Sequence, residues 1–318
     1  MTTIRHFGYV EDRAYSDAHI AKIGTDKLMC QHFAKNEEKR DVGLWKYVLA
    51  RLPKWRRGTQ GIGDCVSWAT ELALTTLMAK AHGLGRGLFE GEAATEAIYG
   101  GCRVEARGLR SGGYQDGATG SWASEWVTSK GGVILRRDYS KITGNPEHDL
   151  TTYDSDKAKE WGNFGCGGRS DKGALDIIAA KMPVLQTTLA TDVMMAAAAI
   201  QNGYPILICS DVGFGDMKRD RQGIVRRSGT WMHAMLLNGV RWRSGEPDFR
   251  DFQSWGDSCS GPDPGIEDEA VSACSWWVVS EDADRIFSRQ DSYIISDVSG
   301  MPPQKLDAAS LSAAWDLS

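Results

Sequence analysis

A cysteine stands where a glycine-rich turn gives way to a helical pattern, in Gln60-Gly61-Ile62-Gly63-Asp64-Cys65-Val66-Ser67-Trp68-Ala69. A thiol at a helix N-terminus meets unpaired N–H groups and the positive end of the helix dipole, and both favour the thiolate. The thiolate is the nucleophilic form, so Cys65 is the candidate nucleophile. Gln60, five residues upstream, carries an amide that can aim an N–H at the oxyanion created by nucleophilic attack.

A nucleophilic thiol needs a base, and the base needs a group that orients it. The six histidines are His6, His19, His32, His82, His148 and His233. His233 is set apart by its place at the mouth of an apolar strand, in Gly229-Thr230-Trp231-Met232-His233-Ala234-Met235-Leu236-Leu237. There it can face a cleft while Met235 and Leu237 share its side of the strand. His82 lies at a helix end, where a cation is favourable without any function. Asn238 is five residues from His233, an odd offset that turns it to the opposite face. Gln253, in Phe252-Gln253-Ser254-Trp255-Gly256, is the next candidate for orienting group. Its amide oxygen can accept the imidazole N–H and fix the tautomer, and Trp255 can cover that hydrogen bond from water.

The other cysteines read differently. Cys209 falls in an apolar strand and belongs to a core. Cys166, in Gly165-Cys166-Gly167-Gly168, has no helix signal after it and no strand signal before it, so it lacks the setting of a nucleophile. The seven cysteines are odd in number and contain no close pair, which fits free thiols in a reducing compartment and disfavours structural zinc. No metal or cofactor is expected.

The 318 residues suffice for one large domain or two lobes. A net charge of −5 argues against a nucleic-acid partner held through phosphates. No run of about 18 apolar residues is present, so neither a transmembrane helix nor a membrane partner is expected. Met1 to Val10 has no apolar signal core, so export by a signal peptide is not expected either. The expected location is a bacterial cytoplasm or a virion. The 12 tryptophans suit core and lobe-interface packing.

The elements that position these residues follow from periodicity. Residues 1–53 form an N-terminal arm or short pro-like segment, with a solvated stretch at Lys35 to Arg40 and a short helix over Leu44 to Leu52. The pattern predicts a helix over 65–82, apolar along Val66, Ala69, Ala73 and Leu77, widened by Leu72, Leu74 and Met78, and therefore buried. Further helices are expected over 93–99 and 121–130, with 140–170 irregular. Thr191 or Asp192 caps another helix that stops at Asn202-Gly203. Strands are expected over 206–209, 231–240, 275–279 and 292–296, a loop over 265–270 and a short helix over 282–287. Helices precede strands, so the fold class is α+β with two lobes and a boundary within 180–205. The lobes are 54–190, helical, and 191–300, β-rich, with a loosely held tail over 301–318.

Gln60-Gly61…Cys65…Trp68-Ala69, His233-Ala234 and Gln253-Ser254-Trp255-Gly256 together resemble the signature blocks of papain-like cysteine peptidases, in the same chain order. Asp116-Gly117-Ala118-Thr119-Gly120-Ser121-Trp122-Ala123 is similar to the family's Gly-Gly stretch that binds substrate backbone. The likeness covers roughly residues 55–300 and is nearest to divergent bacterial and bacteriophage members. It implies a papain-like two-lobe fold with the cysteine helix in one lobe, the histidine strand in the other, and the cleft between. It implies Cys65 as nucleophile, His233 as general base then acid, and Gln253 as its orienting group. The Gln60 side chain and the Cys65 backbone N–H would form the oxyanion hole. Gly117, Ala118 and Trp255 would contact a peptide or protein substrate, and the family needs no cofactor.

Four positions depart from the family pattern. Gln60 is one residue closer to the cysteine than in plant and lysosomal members. Gln253 replaces asparagine, Asp64 replaces a small residue, and Ala118 replaces the second glycine. Asp64 opposes thiolate formation unless it points away or caps the helix at residue 66 or 67. A full-length inhibitory pro-domain does not fit ahead of the motif, although a short arm over 1–50 can lie across the cleft. Two other functions share these residues. One is an inactive descendant serving as a structural or interaction module, for example in a phage particle with virion or self-association partners. The other is a cysteine amidase acting on cell-wall peptides.

Overall fold

The computed structural model of the chain describes residues 7–24, 39–53, 55, 58–109, 116–171, 173–182, 184, 186–256, 260, 275–299 and 301–306. Helix α1 spans Arg13–Ile23, α2 Trp45–Leu49, and α3 Cys65–Gly83. Fifteen of the nineteen residues of α3 are buried, so it is covered on all sides rather than along one stripe. Its threonines are satisfied within the helix: Thr70 and Thr76 donate to the carbonyls of Val66 and Leu72, and Thr75 donates to Glu71. Around α3 stand α4 (Thr95–Gly100), α5 (Gly120–Glu125) and, farther out, α6 (Ser140–Thr143), α7 (Ser155–Phe164) and α8 (Ala174–Ala179). Helix α4 continues into a wide π-type turn over Gly101–Ala106, and α5 into another over Trp126–Lys130.

Against the other side of α3, the described residues form a seven-stranded antiparallel sheet, six strands of it in the order β2-β7-β3-β4-β5-β6 and β1 alongside β4. Its strands are β1 (Val42–Gly43), β2 (Gln186–Leu189), β3 (Ile206–Val212), β4 (Thr230–Arg243), β5 (Glu246–Phe252), β6 (Ser275–Val278) and β7 (Tyr293–Ser296). β1 pairs with β4 at Val240 and Gly239, beyond the reach of β3. Helices α9 (Val193–Gln201) and α10 (Ser280–Phe287) pack against the sheet. The architecture is α+β.

The structure differs from the sequence expectation in several places. Residues 140–170 are not irregular: they hold α6, a 3-10 turn over Pro146–His148, and α7, capped by Asp154. Only Ala158, Trp161 and Gly162 of α7 are buried, too few apolar positions to set a period. Strand β5 also escaped, because Asp248, Arg250 and Asp251 are buried charged residues in a segment whose interior is normally apolar. Asp248 is paired with Arg241 and Arg243 from β4. Residues 301–306 are held rather than loose. Met301 and Leu306 are buried, and Tyr204 donates to the Pro302 carbonyl at 2.7 Å. The expected loop over 265–270 lies outside the described residues. Among the described residues, no helix is long and apolar enough to cross a membrane.

Candidate active site

Cys65 is the first residue of α3, and the Asp64 carbonyl receives the Ser67 and Trp68 amides. The Asp64 side chain does not cap the helix. It turns away and accepts a hydrogen bond at 2.8 Å from Tyr153, a residue 89 positions along the chain. Burial, with Asp116 and Glu96 nearby, raises its pKa well above the ordinary carboxylate range. The turn before Cys65 is braced from outside. Asp116 accepts from the Gly63 amide at 2.6 Å and from Tyr99 at 2.5 Å, and the Gly61 amide donates to the Tyr153 hydroxyl. No local pattern marked Asp116 or Tyr153 for this role.

The thiol is fully buried, and burial pushes its pKa up to about 12. The amides of Ala234, Gly8 and Val66 face it and pull in the opposite direction, while Asp64 adds to the rise. The helix N-terminus therefore does not hold a thiolate in this state. The reason is desolvation, which outweighs three oriented amides.

His233 lies on β4 opposite Ser210 of β3, and it is fully buried. Its Nε2 is 2.8 Å from the Gln253 amide oxygen, while its Nδ1 has no hydrogen-bond partner among the described residues. The ring stacks on Trp255 at 4.0 Å and 19°, so Trp255 covers one imidazole face. No hydrogen bond joins His233 to Cys65, although the amide of the next residue, Ala234, faces the thiol. Burial lowers the His233 pKa to about 3, against the upward pull of Gln253. Asn238 takes no part: it donates to Thr76 on α3 at 3.1 Å.

Gln60 binds the first lobe to the segment after β5. Its amide donates to the Ser254 carbonyl at 2.9 Å, and its side-chain oxygen accepts from the Ser254 hydroxyl at 2.5 Å. That contact turns Nε2 the other way, onto the Ile62 carbonyl at 2.9 Å. Ser254 was not singled out from sequence, although its place beside Gln253 was the available signal.

The stretch at Gly117 and Ala118 is occupied by the chain's own N-terminal segment. The Ala118 amide donates to the Gly8 carbonyl at 2.8 Å, and the Val10 amide donates to the Ala118 carbonyl at 3.0 Å. The Tyr9 amide reaches the Met232 carbonyl at 3.3 Å, and Tyr9 pairs with Ala118 in parallel sense. Phe7 sets its ring edge-on to His233 and Trp255. Gly8 passes so close to the turn that an added Cβ would lie 1.8 Å from the Gly63 carbonyl oxygen. Gly117 holds φ +108°, where glycine is favoured, and its carbonyl receives Arg103.

After this segment, α1 docks through polar contacts. Ser16 meets Ser121 and Asp291, and His19 Nε2 lies 2.8 Å from Ser124. Among the described residues, no three His, Cys, Asp or Glu side chains are grouped to hold a metal ion.

Burial keeps both His233 and His19 below the usual histidine pKa. Such a base takes up its proton in the unfolded chain first, so its contribution falls as pH drops below 6.5 toward the folded value. For His233 the full window, 6.5 to about 3, is worth at most about 5 kcal/mol. The thermal midpoint difference between wild type and His233→Gln is therefore expected to move in favour of the variant between about pH 7 and pH 4. A constant difference across that range would contradict a neutral buried His233.

No family model matches the chain. No curated protein matches it in sequence. Among solved structures, the chain is similar to xylellain, a cysteine protease from Xylella fastidiosa, at 17% identity, with 94% of each chain covered and a TM-score of 0.51. It is also similar to the digestive procathepsin L 3 of the Tenebrio molitor larval midgut, at 13% identity, covering 92% of this chain and 83% of that one, with a TM-score of 0.50. At these identities the likeness establishes architecture, and the chain has the papain-like α+β fold.

Proposed function

We propose that the protein is a papain-like cysteine peptidase that hydrolyses peptide bonds through a thioester on Cys65. The observation that carries this reading is the imidazole of His233, held at Nε2 by Gln253 with Nδ1 open, beside a strand whose next amide faces the Cys65 thiol. His233 Nδ1 takes the thiol proton, and the thiolate attacks the substrate carbonyl carbon. The oxyanion is received by the Cys65 N–H and by Gln60 Nε2, released from Ile62. The imidazolium gives its proton to the departing amine, which leaves the thioester. His233 then takes a proton from water, hydroxide displaces the thiolate, and the acid is released. Gln253 holds the ring throughout, and Trp255 keeps water from that bond.

Residues 7–10 form the cleft-covering part of an N-terminal arm within 1–53, and the closed state is the resting form. In it the thiol is protonated and the imidazole neutral, because neither charge is solvated. When the arm lifts, water and substrate enter, and transfer of the proton becomes less costly. Ala118 then offers to substrate the backbone N–H and carbonyl that the arm now uses, beside Gly117, whose own backbone groups stay with Tyr99 and Arg103.

The test is hydrolysis of casein and of peptidoglycan by the full chain and its Cys65→Ala variant. Cys65-dependent cleavage of casein supports the peptidase reading. Cleavage of peptidoglycan alone selects a cell-wall amidase, and no Cys65-dependent cleavage of either favours a non-catalytic module. Gln60→Ala is expected to lower kcat by about 10²-fold with little change in KM, the usual cost of one oxyanion donor. An unchanged kcat would remove Gln60 from the oxyanion hole.

A further inference from the structure

Strand β5 delivers a buried carboxylate to the group that holds the histidine. Asp251 lies near the end of β5 and Gln253 just past it, and their side chains meet. Asp251 is fully buried, and its Oδ2 accepts a hydrogen bond of 2.5 Å from Gln253 Nε2. The other end of the same amide, Oε1, receives His233 Nε2 at 2.8 Å. Three side chains thus form a line: carboxylate, amide, imidazole.

A side-chain amide has a donor end and an acceptor end of nearly equal size, and its terminal torsion is soft. The stacked Trp255 ring does not distinguish the two ends, whereas a carboxylate does. With Asp251 ionised, a flipped Gln253 would set Oε1 against Oδ2, two acceptors with no proton between them. It would also set Nε2–H against His233 Nε2, which would then have to be the acceptor. The imidazole proton would move to Nδ1, the nitrogen that must stay bare to take a proton from the thiol. Glutamine needs this constraint more than asparagine would, since it has one more rotatable bond between backbone and amide.

We propose that Asp251 is a positioning residue: it fixes the polarity of the Gln253 amide, and through it holds His233 as the Nε2–H tautomer with Nδ1 open. The catalytic meaning of that tautomer rests on the peptidase reading; the chain of hydrogen bonds does not. Asp251 touches no substrate and moves no proton. It decides which of two near-isosteric amide orientations is populated.

The experiment is ¹⁵N NMR of the histidine side chains in the full chain, with His233 assigned by the signal lost in His233→Gln. Wild type is expected to show His233 protonated at Nε2. Asp251→Leu, which keeps volume and removes the acceptor, is expected to raise the Nδ1–H form at least several-fold. Asp251→Asn can turn its own oxygen to Gln253 and should restore most of the wild-type tautomer. A folded Asp251→Leu protein whose His233 stays wholly Nε2–H overturns the proposal. Should Asp251→Leu fail to fold, hydrogen exchange of the Gln253 side-chain amide in wild type decides. Exchange slowed at least tenfold relative to an exposed glutamine supports the proposal, and exchange at the exposed rate overturns it.

The two readings fail separately. Tautomer control by Asp251 in a protein without Cys65-dependent hydrolysis leaves the positioning role and removes the peptidase. Hydrolysis with a tautomer indifferent to Asp251 does the reverse.

Discussion

Replacing His233 by alanine is expected to lower kcat/KM for peptide hydrolysis by at least about 10³-fold, while leaving the fold in place. The thiol of the closed site is pushed up to about 12 by burial, and no residue other than His233 is placed by the proposed mechanism to receive its proton. Removing the imidazole leaves the oriented amides of Ala234 and Val66 and takes away the base. Residues that act as a unit lose activity together, so the Cys65→Ala, His233→Ala double variant should be no slower than Cys65→Ala alone. The measurement is initial rates on casein, with a circular dichroism melt as the check on folding. A His233→Ala protein that retains a tenth or more of the wild-type rate would contradict the assignment of the base.

Gly8→Val is expected to do the opposite: to activate. The Cβ would meet the Gly63 carbonyl oxygen at 1.8 Å, a backbone contact that no side-chain rotation relieves. The turn cannot retreat easily, because Asp116 and Tyr153 hold Gly63 and Gly61 from outside. The arm is the weaker partner. Residues 7–10 are fastened in the cleft by the Gly8, Val10 and Tyr9 backbone hydrogen bonds, each worth about 1 kcal/mol net. Losing the three would shift the opening equilibrium by about 3 kcal/mol, or roughly 100-fold.

Helix α1 remains docked through Ser16, Tyr15 and His19, so the loss is confined to the cleft. Alkylation of Cys65 by iodoacetamide, followed on its tryptic peptide, is expected to rise at least about tenfold relative to wild type. A rate equal to wild type would show that the arm does not gate the thiol.

The two lobes differ in how much of their structure was legible. Helix α3 was readable end to end, since its apolar positions are dense and Gly63 and Gly83 bracket it. The strand bearing His233 was readable for a similar reason, the apolar run from Ala234 to Leu237. Strand β5 was not, because its burial depends on charges finding partners on other strands, Asp248 with Arg241 and Arg243 above all. Helix α7 was hidden by its solvent face, which outnumbers its buried one. Cys65, His233, Gln60 and Gln253 could be put forward as candidates from spacing and residue type. Ser254, Asp116, Tyr153 and Asp251 could not, since each acts through a contact with a residue that sequence alone does not place beside it.

The sequence by itself determined which side chains are available and which way each one faces along its own element. Helical and strand periods are local properties of the backbone, so the offset from Gly63 to Cys65 and the shared side of His233 and Met235 follow from position in the chain. Tertiary structure alone decided the electrical state of the Cys65 thiol. Helix polarity favours a thiolate at Cys65, yet the arm and β4 remove the water that would solvate it. Desolvation sums over every group that surrounds an atom, and for Cys65 those groups, Gly8 and Ala234 among them, come from segments far apart in the chain. A local reading sees the dipole and not the seal.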